Sequence, residues 1–151
     1  MLCLLCGCED KDRRERVSDD ATAFKNLVAI DIPYSTVRWE VFGTLEYAGG
    51  IPGPTDHITL VAQIVPTKEQ PDLRAGSEIV WLAPESARPW LDPDFSSFIR
   101  KNLQNSSVDL TKHPNCHSLS ATLKKTSKAV KGFACSGKTK ILIYLRIADY
   151  T

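Results

Sequence analysis

His57-Ile58-Thr59-Leu60-Val61-Ala62-Gln63-Ile64-Val65 decides the fold class. Ile58, Leu60, Ala62 and Ile64 fall on one side of an extended chain and Thr59, Val61 and Gln63 on the other, the period of a strand. Val61 makes the second side partly apolar, so this strand is expected to be covered on both faces. Upstream, Thr36 to Phe42 alternates in the same way, with Val37, Trp39 and Val41 opposed to Arg38 and Glu40. The two runs are separated by Gly49-Gly50-Ile51-Pro52-Gly53-Pro54-Thr55-Asp56, a loop built to reverse direction, and a hairpin is expected.

Further strands are predicted at Phe24 to Ile32, closed by Pro33, at Ser77 to Ala83, ended by Pro84, and at 119–123, 130–135 and Ile141 to Ile147. Gly137-Lys138 turns the chain between the last two. One segment has helical spacing: Phe95, Phe98, Ile99 and Leu103 form a stripe, Asp92 is placed to cap it and Pro93 suits its first turn. Arg100 and Lys101 fall outside that stripe. The expectation is an α+β fold, a mainly antiparallel sheet with one principal helix packed on it.

A chain of 151 residues with 42% hydrophobic and 25% charged residues has the balance of one ordinary globular domain. At this size folding buries roughly 70% of the unfolded surface, enough for a core of its own. The domain is placed at residues 22–151, preceded by a flexible tether at 9–21 and an apolar segment at 1–8. Nowhere does the sequence hold the run of about 18 apolar residues that a spanning helix requires.

The first eight residues are apolar and give way to Glu9-Asp10-Lys11-Asp12-Arg13-Arg14-Glu15-Arg16. Leu5-Cys6-Gly7-Cys8 resembles the lipobox of bacterial lipoproteins, with a leucine three positions before the cysteine and a small residue next to it. That resemblance implies that Cys8 carries a lipid, that the chain is exported, and that it sits in the periplasm anchored to a bacterial membrane. Cys3, Cys6 and Cys8 could alternatively clip a zinc ion, but no second pair of similar spacing completes four ligands, so no metal is expected. In an oxidising compartment Cys116 and Cys135 are expected to pair.

Charge is unevenly distributed. Between 110 and 148 lie eight basic residues (Lys112, Lys124, Lys125, Lys128, Lys131, Lys138, Lys140 and Arg146) and no acidic one. Such a stripe steers acidic partners, although the near-neutral whole and the absence of a recognition motif argue against nucleic acid.

Several motifs fail on chemical grounds. Gly132-Phe133-Ala134-Cys135-Ser136-Gly137-Lys138-Thr139 matches a phosphate-binding loop, yet it leads into the β-type run Ile141 to Ile147 where such a loop needs a helix N-terminus. His113-Pro114-Asn115-Cys116-His117 lacks a third ligand or orienting group, and a disulfide would make Cys116 inert. Asp56-His57 has no serine elbow to serve. Asn105-Ser106-Ser107 is a glycosylation sequon that has no role in a bacterium.

With no catalytic group and no cofactor expected, the sequence reads as a binding protein. In overall format it resembles the small immunity lipoproteins that neutralise interbacterial toxins, which implies a toxin or enzyme as partner. Candidate contacts are Gly53, Asp56 and His57, Trp90 in the Pro84 to Asp92 segment, and Lys124, Lys125, Lys128 and Lys131. Two other classes fit the same residues: a structural envelope lipoprotein, and a small hydrolase centred on Asp56, His57 and His117.

Overall fold

The computed structural model describes residues 17–43, 57–68 and 78–149. Helix α1 (Ala21–Leu27) opens the fold, followed by β1 (Val28–Ala29), β2 (Tyr34–Gly43), β3 (His57–Pro66), β4 (Ile79–Trp81), α2 (Pro93–Leu103) and β5 (Ser107–Asp109). One turn of 3-10 helix at Leu110–Lys112 leads to β6 (Cys116–Leu123), β7 (Ala129–Ser136) and β8 (Ile141–Asp149). The mainly antiparallel α+β architecture expected from the sequence is what the chain adopts.

Six strands form one antiparallel sheet in the order β1-β6-β7-β8-β3-β2. Its two edge strands, β1 and β2, are joined by residues 30–33 alone. Six strands laid flat would hold their edges about 24 Å apart, whereas the five steps from Ala29 to Tyr34 reach at most about 18 Å. The sheet therefore has to curl. Its concave face encloses Leu60, Ala62, Ile64, Leu119, Ala121, Val130, Ala134, Ile141, Ile143 and Leu145.

Helix α1 plugs the open side of that curl. The predicted strand from Phe24 to Ile32 is corrected here, because Ala21, Phe24 and Leu27 pack on the core from one short helix and Asp20 caps it by accepting from the Ala23 N–H at 3.0 Å. Only Val28 and Ala29 remain extended, opposite Leu123 and Thr122. Phe24 is fully buried, its ring edge-on to Tyr34 at 5.6 Å. The expected tether also ends earlier than residue 21: Ser18 exchanges two backbone hydrogen bonds with Trp39, and the Trp39 indole donates to the Asp20 carbonyl at 3.1 Å.

The convex face is covered as well, as the apolar outer side of β3 requires. Val61, Phe133, Leu142 and Tyr144 meet Val80, Leu82, Leu91, Phe95, Ile99, Val108 and Leu110 from the overlying segments. Helix α2 spans the expected residues with Phe95 and Ile99 buried and Arg100 and Lys101 exposed. Asp92, however, makes no side-chain cap bond. Its carboxylate pairs with Lys140 at 3.1 Å and its N–H donates to the Gln63 side chain at 2.7 Å, which fixes the helix start to the sheet.

The strand expected at Ser77 to Ala83 shortens to β4 and leaves the main sheet, pairing with β5, for which no strand was expected. Tyr144 explains the arrangement. Its hydroxyl accepts from the Ala83 N–H at 2.9 Å and donates to the Trp81 carbonyl at 3.1 Å, so the end of β4 is tied to the middle of β8.

β7 and β8 approach so closely that a Cβ on Gly132 would stand 1.7 Å from the Tyr144 carbonyl oxygen. The phosphate-loop match is thus a strand followed by a turn, closed by the Gly137 N–H to the Lys140 carbonyl at 2.8 Å, and it runs directly into β8.

Candidate functional site

Cys116 and Cys135 face each other across β6 and β7 and form a disulfide, with Cα atoms 4.0 Å apart. Both belong to the convex core, at 0% and 2% exposure. The pairing expected from the sequence is present, and it locks the base of the β6–β7 hairpin whose other end is basic.

That end carries a cluster of exposed lysines. Lys124, Lys125, Thr126 and Ser127 make its turn, closed by the Leu123 N–H to the Lys128 carbonyl at 2.8 Å, with Ser127 at a left-handed φ of 56°. The Lys124 N–H also donates to the Leu27 carbonyl at 3.1 Å, so the turn is anchored to the end of α1. Lys124, Lys125, Lys128 and Lys131 are all exposed, and none has a carboxylate partner among the described residues. Lys25 adds a fifth cation nearby, lining the same shallow groove as Lys124 and Asp31.

The remaining predicted contacts fare differently. Cys8, Gly53 and Asp56 lie outside the described residues. His57 is corrected as a surface contact: it is 5% exposed, its Nδ1 lies 3.2 Å from the Thr59 hydroxyl, and its ring packs edge-on to Trp81 at 5.4 Å. Trp90 is corrected as a free anchor. Its indole N–H donates to Glu40 at 2.7 Å, and its ring packs against the convex core.

Glu40 is the residue that sequence reasoning misplaced. Alternation puts it opposite Val37, Trp39 and Val41, on what reads as a solvent face, yet it is 2% exposed. Arg88 donates to it twice, from Nε at 3.0 Å and Nη2 at 2.7 Å, while lying over the Phe42 ring at 4.7 Å. The one available signal was the apolar outer face of neighbouring β3, which already required a second covered face.

The structure does not bring His57 and His117 together. His117 lies in one row with Ala134, Ile143, Ala62 and Trp39, on the concave side, where Leu119 and Ala121 of its own strand are also buried. His57 is at the far end of β3 and on the convex side. Burial holds the His117 imidazole below the ordinary histidine range, and its Nε2 finds no hydrogen-bond partner among the described residues. Nor do the described residues contain a cluster of three or more histidine, cysteine or acidic side chains able to hold a metal ion.

A second groove, lined by Asp19, Thr36, Arg38, Gln63 and Lys140, is polar but internally neutralised. Arg38 binds Asp19 at 2.8 Å, which lowers the Asp19 carboxyl below its usual range, and Lys140 binds Asp92. Compared with protein families, characterised proteins and solved structures, the chain matches none.

Proposed function

We propose that this chain is an exported, lipid-anchored binding protein of the bacterial periplasm, an immunity-type inhibitor that neutralises a toxin or other enzyme by direct contact. The observation that carries the reading is the buried Cys116–Cys135 disulfide. Such bonds persist in oxidising compartments and are rare in a reducing cytosol, so the disulfide supports export. Export in turn gives the lipobox-like Leu5-Cys6-Gly7-Cys8 its meaning as an anchor.

The contact surface is the β6–β7 hairpin. Lys124, Lys125, Lys128 and Lys131 stand on a disulfide-locked and helix-anchored support and make no ion pair among the described residues. Uncompensated charge on a fixed element speeds encounter with an acidic partner and selects for it.

The test is capture by the full chain from a bacterial envelope extract at moderate salt, followed by an activity assay of whatever is retained. One stoichiometric enzyme that loses activity on rebinding supports the reading. Retention of envelope scaffold components alone, or of nothing, overturns it, as does unaltered membrane partitioning of a Cys8→Ala variant.

A further inference from the structure

The hydrogen-bonding direction along β6 can be read residue by residue. Leu123 N–H donates to the Lys128 carbonyl and Ser136 N–H to the Asn115 carbonyl, at 2.8 and 2.9 Å, in the same register as the Cys116–Cys135 pair. Odd-numbered residues of β6 therefore bond to β7. Even-numbered ones point the other way, as Lys124 N–H does toward the Leu27 carbonyl and Cys116 N–H toward the His113 carbonyl. β1 covers only Thr122 and Leu123. Ser118 and Ser120 are left with outward N–H and C=O groups, and no strand lies beside them among the described residues.

The side chains along this gap suit an incoming strand. Ser118 and Ser120 are exposed and small, so a neighbouring backbone meets no bulk. Lys131 lies directly opposite Ser120 on β7, with the Lys124–Lys128 turn just beyond. We propose that this edge is a strand-addition site for an acidic extended segment of a protein partner. Its main chain pairs with Ser118 and Ser120, and its carboxylates meet Lys131 in the field of the turn lysines.

Two considerations favour an acidic strand over other occupants. Protein interfaces of ordinary type rely on apolar or aromatic anchors. The exposed large hydrophobic among the described residues is Ile79, which sits on β4 rather than here. Strand addition draws its affinity from main-chain bonds and needs no such anchor. Lysines flanking an edge also disfavour its pairing with a second, equally basic copy.

This inference rests on the binding-protein reading, and its test separates the two. The full chain, isotopically labelled, is titrated to millimolar concentration with a seven-residue peptide alternating Thr and Glu, and with a Thr-Lys control. Slowed exchange and shifted resonances at the Ser118 and Ser120 amides with the Glu peptide alone are the expected result. Shifts confined to the lysines, no response, an equal response to the control, or the same lysine shifts with phosphatidylglycerol vesicles but no amide protection would each overturn it. Ser120→Pro removes one outward donor at an edge position that tolerates proline. It should weaken peptide binding about tenfold, as loss of a strand hydrogen bond implies. An oxidised disulfide and an unchanged thermal transition in that variant certify its fold. If it captures the enzyme partner as well as the parent chain does, strand addition falls and the inhibitor reading stands.

Discussion

Glu40 on β2 and Arg88 in the segment before α2 are joined by two bonds, Nε to Oε1 at 3.0 Å and Nη2 to Oε2 at 2.7 Å. Their side chains are only 3% and 16% exposed, so neither has water as a ready substitute. The pair, with Trp90 donating to the same carboxylate, fastens the covering segment to the curled sheet.

Removing one member of such a pair leaves the other charge buried and unmatched. Glu40→Ala should lose about 3–5 kcal/mol of stability in a urea titration. The double variant Glu40→Leu with Arg88→Met should lose clearly less, because both charges leave together. A double-variant loss equal to the sum of the two single-variant losses would show that the pair is not coupled.

The disulfide closes a separation of 19 residues. Cys116→Ala with Cys135→Ala should lower stability by about 3 kcal/mol in the chain-entropy model, measured by denaturant unfolding of the oxidised parent against the variant. Because both sulfurs are buried, reductant should act on the parent slowly in water and quickly in denaturant. Rapid reduction of the folded chain would contradict the burial.

Gly132 is needed because β8 passes against it, not because of a turn. Gly132→Ala pushes a methyl group into the Tyr144 backbone carbonyl, which cannot rotate away, and should cost about 1–3 kcal/mol or prevent folding. The exposed neighbour provides the comparison: Lys131→Ala should change the unfolding free energy by less than about 0.5 kcal/mol.

Burial lowers the His117 pKa from its ordinary 6.5. The unfolded chain therefore takes up a proton near pH 6.5 that the folded chain refuses. Stability is full above that pH and falls as the pH drops, until the folded imidazole also becomes protonated. Unfolding midpoints compared from mildly alkaline to mildly acidic buffer should show the decline, and His117→Leu should flatten it, whereas an unchanged profile would mean that the imidazole is not the group responsible.

Much of the sheet could be read from local pattern. β2, β3 and β8 announce themselves by period or by apolar run, and α2 by its Phe95, Phe98, Ile99 and Leu103 stripe, because each of these elements carries its own burial signal. The Cys116–Cys135 pairing was legible from composition. Phe24 to Ile32 misled for a specific reason: an apolar run this short satisfies either period, and the Asp20 cap together with the plugging role of Phe24 decides for helix. His57 and Glu40 looked like surface groups since nothing local reveals that a distant segment will lie across them, nor that Trp90 in that segment will turn its indole N–H onto Glu40. Lysine exposure in the hairpin was the part of the site that could be anticipated.

The sequence by itself determined that this is an α+β fold of antiparallel strands, that its helix packs by one stripe, that Cys116 and Cys135 are the pair to expect in an oxidising compartment and that the last third is basic, since periodicity, composition and spacing act over short distances. Tertiary structure alone decided the strand order, the curl forced by the short link from Ala29 to Tyr34, the fate of His57 and Trp90, and the open edge at Ser118 and Ser120. Those depend on which distant strands meet and in what register, which local pattern does not encode.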